Sequence, residues 1–123
     1  MNKFFSFLIL TILLVSCSPY QKALKSDDVA VKSDVANAMY DKGKYDKAIR
    51  LYEQIAPVYK GKPNAERMFY LYSKSLYNTN QFYLAGYQFE NFVATYNRRK
   101  KREEATFLAA ECFFKNSSTL IPG

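Results

Sequence analysis

Advancing 37 residues along this chain lands repeatedly on the same kind of side chain. Tyr45 falls over Phe82, Ala48 over Ala85, Tyr52 over Phe89 and Ile55 over Phe92. The segment before the first of these series has its own copies, with Ser73 over Ala110, Leu76 over Phe113 and Tyr77 over Phe114. A constant offset kept across two kinds of segment means an array of one supersecondary unit, and such units bury their apolar faces by stacking.

The unit is legible from its spacing. Tyr45, Ala48, Ile49, Tyr52, Ile55, Ala56 and Tyr59 share one face of a helix, and Val35, Ala36, Met39 and Tyr40 show the same periodicity upstream. Between them Gly43 can end a helix in the left-handed conformation. The unit is therefore a helical hairpin, helix A followed by helix B, and the fold class expected is all-α. Helices are expected at about residues 30–42, 46–60, 65–79, 82–96 and 102–115. Pro63-Asn64 supports the third start, with Asn64 as a cap. Pro57 removes one amide donor near the end of the second helix, where a bend and not a break is expected because Val58 and Tyr59 continue the apolar series.

These residues resemble the tetratricopeptide pattern. Each helix A carries a small residue (Ala36, Ser73, Ala110) with a larger one three positions on (Met39, Leu76, Phe113). Each helix B carries an aromatic, an alanine and a second aromatic (Tyr45, Ala48, Tyr52; Phe82, Ala85, Phe89), the small–large alternation that close helix packing requires. Lys32 and Thr106 depart from it, standing where a large apolar residue is usual, and the period is 37 in place of the usual 34. The resemblance implies a tetratricopeptide-like α-solenoid of about two and a half repeats, at 29–64, 65–101 and an incomplete 102–123. Helix A of each unit would line the concave side. Its inner stripe includes Asn37 and Tyr40, then Tyr70, Lys74 and Tyr77, then Phe107 and Phe114, with Tyr40, Tyr77 and Phe114 as an aromatic ladder. Two uses are open to these residues: a groove for an extended or helical peptide, or packing against a helix of the same chain.

Composition removes several classes of chemistry. There is no histidine among the 123 residues, and the two cysteines stand far apart at Cys17 and Cys112. No catalytic residue, metal site or cofactor is therefore expected, because a zinc cluster lacks ligands and a Ser-His or Cys-His system lacks its base. Cys112, among Ala109, Ala110, Phe113 and Phe114, reads as a buried inert thiol. The net charge of +7 is local: without the run Arg98-Arg99-Lys100-Lys101-Arg102, 13 basic residues face 11 acidic ones. No aromatic interleaves within the run as a nucleic-acid groove would require, so no nucleic-acid partner is expected. The run reads as a solvated loop between helices, with attraction to anionic lipid or polysaccharide as the alternative.

At the amino terminus Lys3 precedes Phe4 to Val15, apolar apart from Ser6 and Thr11. Twelve residues are too few to span a bilayer, which takes about twenty, and suit the core of a signal peptide. Leu14-Val15-Ser16-Cys17 resembles the bacterial lipobox. That resemblance implies a signal peptide at 1–16, cleavage before Cys17, and an acylated (palmitate-type) Cys17 that anchors the mature chain without crossing the membrane. Residues 17–28 then read as a lipidated tether, with Pro19 opposing helix at its start.

The lipobox, the run Tyr20-Gln21-Lys22-Ala23-Leu24-Lys25-Ser26 and the repeats that begin soon after resemble, over essentially the whole chain, the BamD family of outer-membrane lipoproteins in its Bacteroidetes-like form. The resemblance implies a non-enzymatic, periplasm-facing subunit of the β-barrel assembly machinery. Its partners would be a BamA-like barrel-forming subunit and unfolded segments of outer-membrane proteins. Members carry about five repeats, so the chain reads as a truncated member, and Asn116 to Gly123 shows no helical pattern. The alternative is a tetratricopeptide lipoprotein that links the outer membrane to the cell wall or to surface machinery.

Overall fold

The computed structural model describes residues 2–6 and 18–120. Cys17, the expected lipidation site, and most of the expected signal peptide lie outside the described residues. The described chain is all-helical. After a helical stretch at 2–6, it forms α1 (Pro19–Lys25), α2 (Val29–Asp41), α3 (Tyr45–Tyr59), a 3-10 turn (Pro63–Ala65), α4 (Glu66–Asn78), α5 (Phe82–Thr95) and α6 (Arg99–Leu120). No helix among the described residues is long and apolar enough to cross a membrane. From α2 onward each helix packs on the next, and α2 also touches α4.

The two helical turns between α2 and α3 and between α4 and α5 are copies of each other. Lys44 N–H donates to the Met39 carbonyl at 2.8 Å and Gly43 N–H to Tyr40 at 2.9 Å, while Gln81 donates to Leu76 at 2.9 Å and Asn80 to Tyr77 at 3.0 Å. All four bonds obey the 37-residue offset. Gly43 and Asn80 sit at φ +74° and +62°, the left-handed region that glycine and asparagine tolerate best. Lys44 and Gln81 follow with nearly identical angles, φ −88°, ψ 66° and φ −86°, ψ 65°. The ring contacts repeat as well: Tyr40 meets Tyr45 edge-on at 5.4 Å, and Tyr77 meets Phe82 edge-on at 5.6 Å.

Burial follows the expected small–large pattern in the first two units. Ala36 and Met39 are buried in α2, Ser73 and Leu76 in α4, and Ala48, Tyr52, Ala85 and Phe89 in the helices they face. Ser73 satisfies its hydroxyl by donating to the Phe69 carbonyl at 2.8 Å, which lets a polar residue occupy the tight position. Between α5 and α6 the close approach is made by Gly86, where a β-carbon would stand 3.2 Å from the Cys112 Cβ and 3.1 Å from the Phe113 ring.

Four expectations require correction. The tether is helical from Pro19 to Lys25, because proline at the first helical position lacks only an amide with no partner to lose, and the Ser18 hydroxyl accepts from Gln21 N–H at 3.2 Å. Tyr20 and Ala23 of α1 are buried in the main core, and the Lys47 ammonium lies 5.1 Å from the centre of the Tyr20 ring. Lys32 belongs to this arrangement, since its ammonium donates to the Leu24 carbonyl at 3.2 Å and to the Gln54 side chain, joining α1, α2 and α3. Second, Asn64 makes no cap; it lies inside the 3-10 turn that Pro63 opens, and α4 starts without a side-chain cap. Third, the basic run is the first turn of α6 and not a loop, since Arg99 to Arg102 are already helical. Fourth, α6 continues through Asn116 to Leu120, past Ser117, which occupies the position of Gly43 and Asn80 without that conformation. Pro57 does not break α3, which runs on to Tyr59.

Candidate functional site

The seven residues assigned to the groove fall into two groups. Asn37, Tyr40, Tyr70, Lys74 and Tyr77 are half-buried, whereas Phe107 and Phe114 stand 68% and 74% exposed. The stripes of α4 and α6 come together through polar contacts. The Tyr77 hydroxyl donates to Glu111 Oε1 at 2.9 Å, Lys115 Nζ donates to that hydroxyl at 3.0 Å, and Lys74 reaches Glu104 at 4.0 Å. Lys115 also lies 3.2 Å from Glu111 and over the Tyr77 ring at 4.9 Å. Hydrogen bonds from Tyr77 and Lys115 hold the Glu111 carboxyl below its ordinary range, and the same partners raise Lys115. Tyr70 sits against Phe92 at 5.6 Å and under the Lys101 ammonium at 5.4 Å. Its phenol is raised by burial first and by Glu104 second.

On α2 the stripe is not joined to its neighbours in that way. Asn37 turns inward to accept from the Tyr52 hydroxyl at 2.7 Å, and Tyr40 packs on Tyr45 within its own hairpin. The rings of Tyr40 and Tyr77 are thus engaged with the following helix of their own hairpins. No printed ring contact links Tyr77 to Phe114, so a continuous ladder does not form.

The best-formed concavity lies elsewhere. A cleft of about 440 Å³ opens between the carboxy-terminal half of α3, the start of α4 and the second half of α5. Phe69, Tyr72 and Phe92 line it with Tyr96, and Glu53, Lys60, Gln88 and Asn91 contribute polar groups. Tyr96 is fixed there by its hydroxyl, which donates to the Lys62 carbonyl at 3.0 Å, and by its stack on Phe92 at 5.2 Å. Pro57 and Gly61 belong to the same wall. None of the seven groove residues lines this cleft. Its signal in the sequence is Tyr87, an aromatic outside the buried series Phe82, Ala85, Phe89 and Phe92, and 54% exposed. Apolar walls with a few polar groups suit an extended peptide with an aromatic side chain.

Cys112 is fully buried, and burial with the nearby Glu111 pushes its thiol up to about 11. It is therefore a protonated core residue at neutral pH. Three of the five charges in the basic run have partners within the fold: Arg98 with Glu66 at 3.4 Å, Arg99 with Glu103 at 3.3 Å, and Lys101 with the Tyr70 ring. No family model, curated protein or solved structure matches the chain.

Proposed function

We propose that the chain is a tetratricopeptide-like scaffold, held at the outer membrane through an acylated Cys17 and facing the periplasm, where it serves as a BamD-like, non-enzymatic subunit of the β-barrel assembly machinery. The observation that carries this reading is the duplicated hairpin, whose turn bonds, left-handed residue and edge-on ring contact recur 37 residues apart. Repeats of this kind stack into solenoids and present extended surfaces to other polypeptides. In this reading the units at 29–64, 65–101 and 102–123 form an α-solenoid. Unfolded segments of barrel proteins reach it through their aromatic residues, and the cleft at Phe69, Tyr72 and Phe92 offers such a residue a place. The lipobox-like Leu14-Val15-Ser16-Cys17 supports the anchor, and the absence of histidine supports a role without catalysis.

Affinity purification of the acylated chain from gently solubilised envelopes tests the reading. A barrel-forming subunit is expected to co-purify, and a photo-crosslinking residue in place of Tyr87 is expected to capture unfolded barrel segments. Recovery of cell-wall polymer in their place would overturn it in favour of a membrane-to-wall scaffold.

A further inference from the structure

Helix A of each hairpin has two faces to cover, one toward the preceding helix B and one toward its own. In α4 the first is formed by Met68, Leu71, Tyr72 and Ser75, all buried, with Tyr72 against Tyr52 of α3 at 5.9 Å. The equivalent residues of α6 are Ala105, Leu108, Ala109 and Cys112, which are buried as well. The second face of α4 carries Tyr70, Ser73, Leu76 and Tyr77, packed on α5 through Tyr70 to Phe89 and Phe92 and through Tyr77 to Phe82. Its equivalents in α6 are Phe107, Ala110, Phe113 and Phe114, and there the pattern reverses. Phe107 is 68% exposed, Phe114 74% and Phe113 37%, and Ala110 is exposed where Ala36 and Ser73 are fully buried.

We propose that this face of α6 docks an amphipathic helix of a partner polypeptide that presents an aromatic residue, an alanine three positions later and a second aromatic four beyond it. The chemistry of the occupant is written twice in the chain itself. Tyr45, Ala48 and Tyr52 cover α2, and Phe82, Ala85 and Phe89 cover α4. The same three classes of residue await a cover on α6: a small residue where two backbones come close, a large apolar one three positions on, and aromatics at either end for edge-on contact. Within the described residues the chain supplies no such helix, because α6 runs straight through the position at which α2 and α4 have already ended and turned. A contiguous apolar stripe of this kind is a recognition surface of the helix-in-groove type, read through anchors spaced along one helical face. The inference rests on hairpin geometry and not on the proposed assembly role.

The test uses the acylated full chain in lipid nanodiscs and a synthetic peptide of residues 80–97 of this sequence. Phe114→Cys in the chain and Phe82→Cys in the peptide place two thiols at the pair that corresponds to Tyr77 and Phe82. Disulfide crosslinking is expected several-fold faster than with a Glu90→Cys peptide, whose thiol lies on the exposed side of the helix. Phe107→Asp, or Ala110→Arg if that variant loses helicity, is expected to abolish it while circular dichroism is retained. Equal crosslinking by the two peptides, insensitivity to both variants, or chain-to-chain crosslinks in preference to peptide capture would overturn the proposal; the last would assign the face to a second copy.

Discussion

Tyr52 donates its phenol proton to the Asn37 side-chain oxygen at 2.7 Å, and 37 residues later the corresponding pair is Phe89 and Lys74, with neither that hydroxyl nor that acceptor. The donor and the acceptor are present together or absent together, so the two hairpins solve one packing position in two chemistries. Tyr52→Phe should cost about 1 kcal/mol, the net value of one hydrogen bond, and Phe89→Tyr about 1–3 kcal/mol for a hydroxyl buried without a partner. Tyr52→Ala and Phe89→Ala should each cost about 3–5 kcal/mol because both rings are fully buried. Urea unfolding midpoints at constant slope check all four.

Gly86 permits the approach of α5 to α6. Gly86→Val should lose about 1–3 kcal/mol by overpacking against Cys112 and Phe113. Because the ring of Phe113 is partly exposed and its far edge makes the tightest contact, Phe113→Ala should recover part of that loss. A double-mutant cycle reads the recovery as non-additivity.

Alkaline stability should be limited by buried acids. Cys112 has an ordinary value of 9.0 and is raised to about 11 in the fold, so between those values the unfolded chain has released a proton that the folded chain keeps. Stability therefore falls as pH rises through this window, with a slope of at most about 1.4 kcal/mol per pH unit from this group. Tyr52, raised from 10.0 chiefly by burial, adds to the fall above pH 10. Melting temperatures of Cys112→Ala measured from pH 8 to pH 11 should decline less steeply than those of the parent chain.

The Glu111 carboxyl, held below its ordinary value of 4.5, behaves oppositely. Its contribution is present above that value and is lost as pH falls through the lower folded one. Tyr77→Phe removes the largest cause of the depression, so the Glu111 titration midpoint followed by carboxyl carbon NMR should move upward.

The hairpin unit, its period and its packing residues were legible because helical spacing and a 37-residue offset constrain the same positions twice. Gly43 also marked its turn, since only few residues tolerate φ of +74°. The helix Pro19–Lys25 was less legible, because proline read as opposition to helix is also the preferred first residue of one. The early start of α6 was hidden by its charge, as a basic run reads as loop although Glu66, Glu103 and the Tyr70 ring take up three of its cations. The inner stripe was located at the right residues on α4 and α6, yet the destination of each ring depends on the following helix. Tyr40 and Tyr77 have one to pack on, and Phe114 does not.

That contrast offers the most direct measurement. Tyr77 and Phe114 occupy the same position in successive units, one packed on Phe82 and the other 74% exposed. In thermal or urea unfolding of the full chain, Tyr77→Ala is predicted to lose about 2 kcal/mol or more, as truncation of a packed aromatic does. Phe114→Ala is predicted to stay within about 0.5 kcal/mol of the parent, as an exposed position does. Equal losses at the two positions, or no loss at Tyr77, would contradict the account of a hairpin repeat whose third copy leaves its second face open.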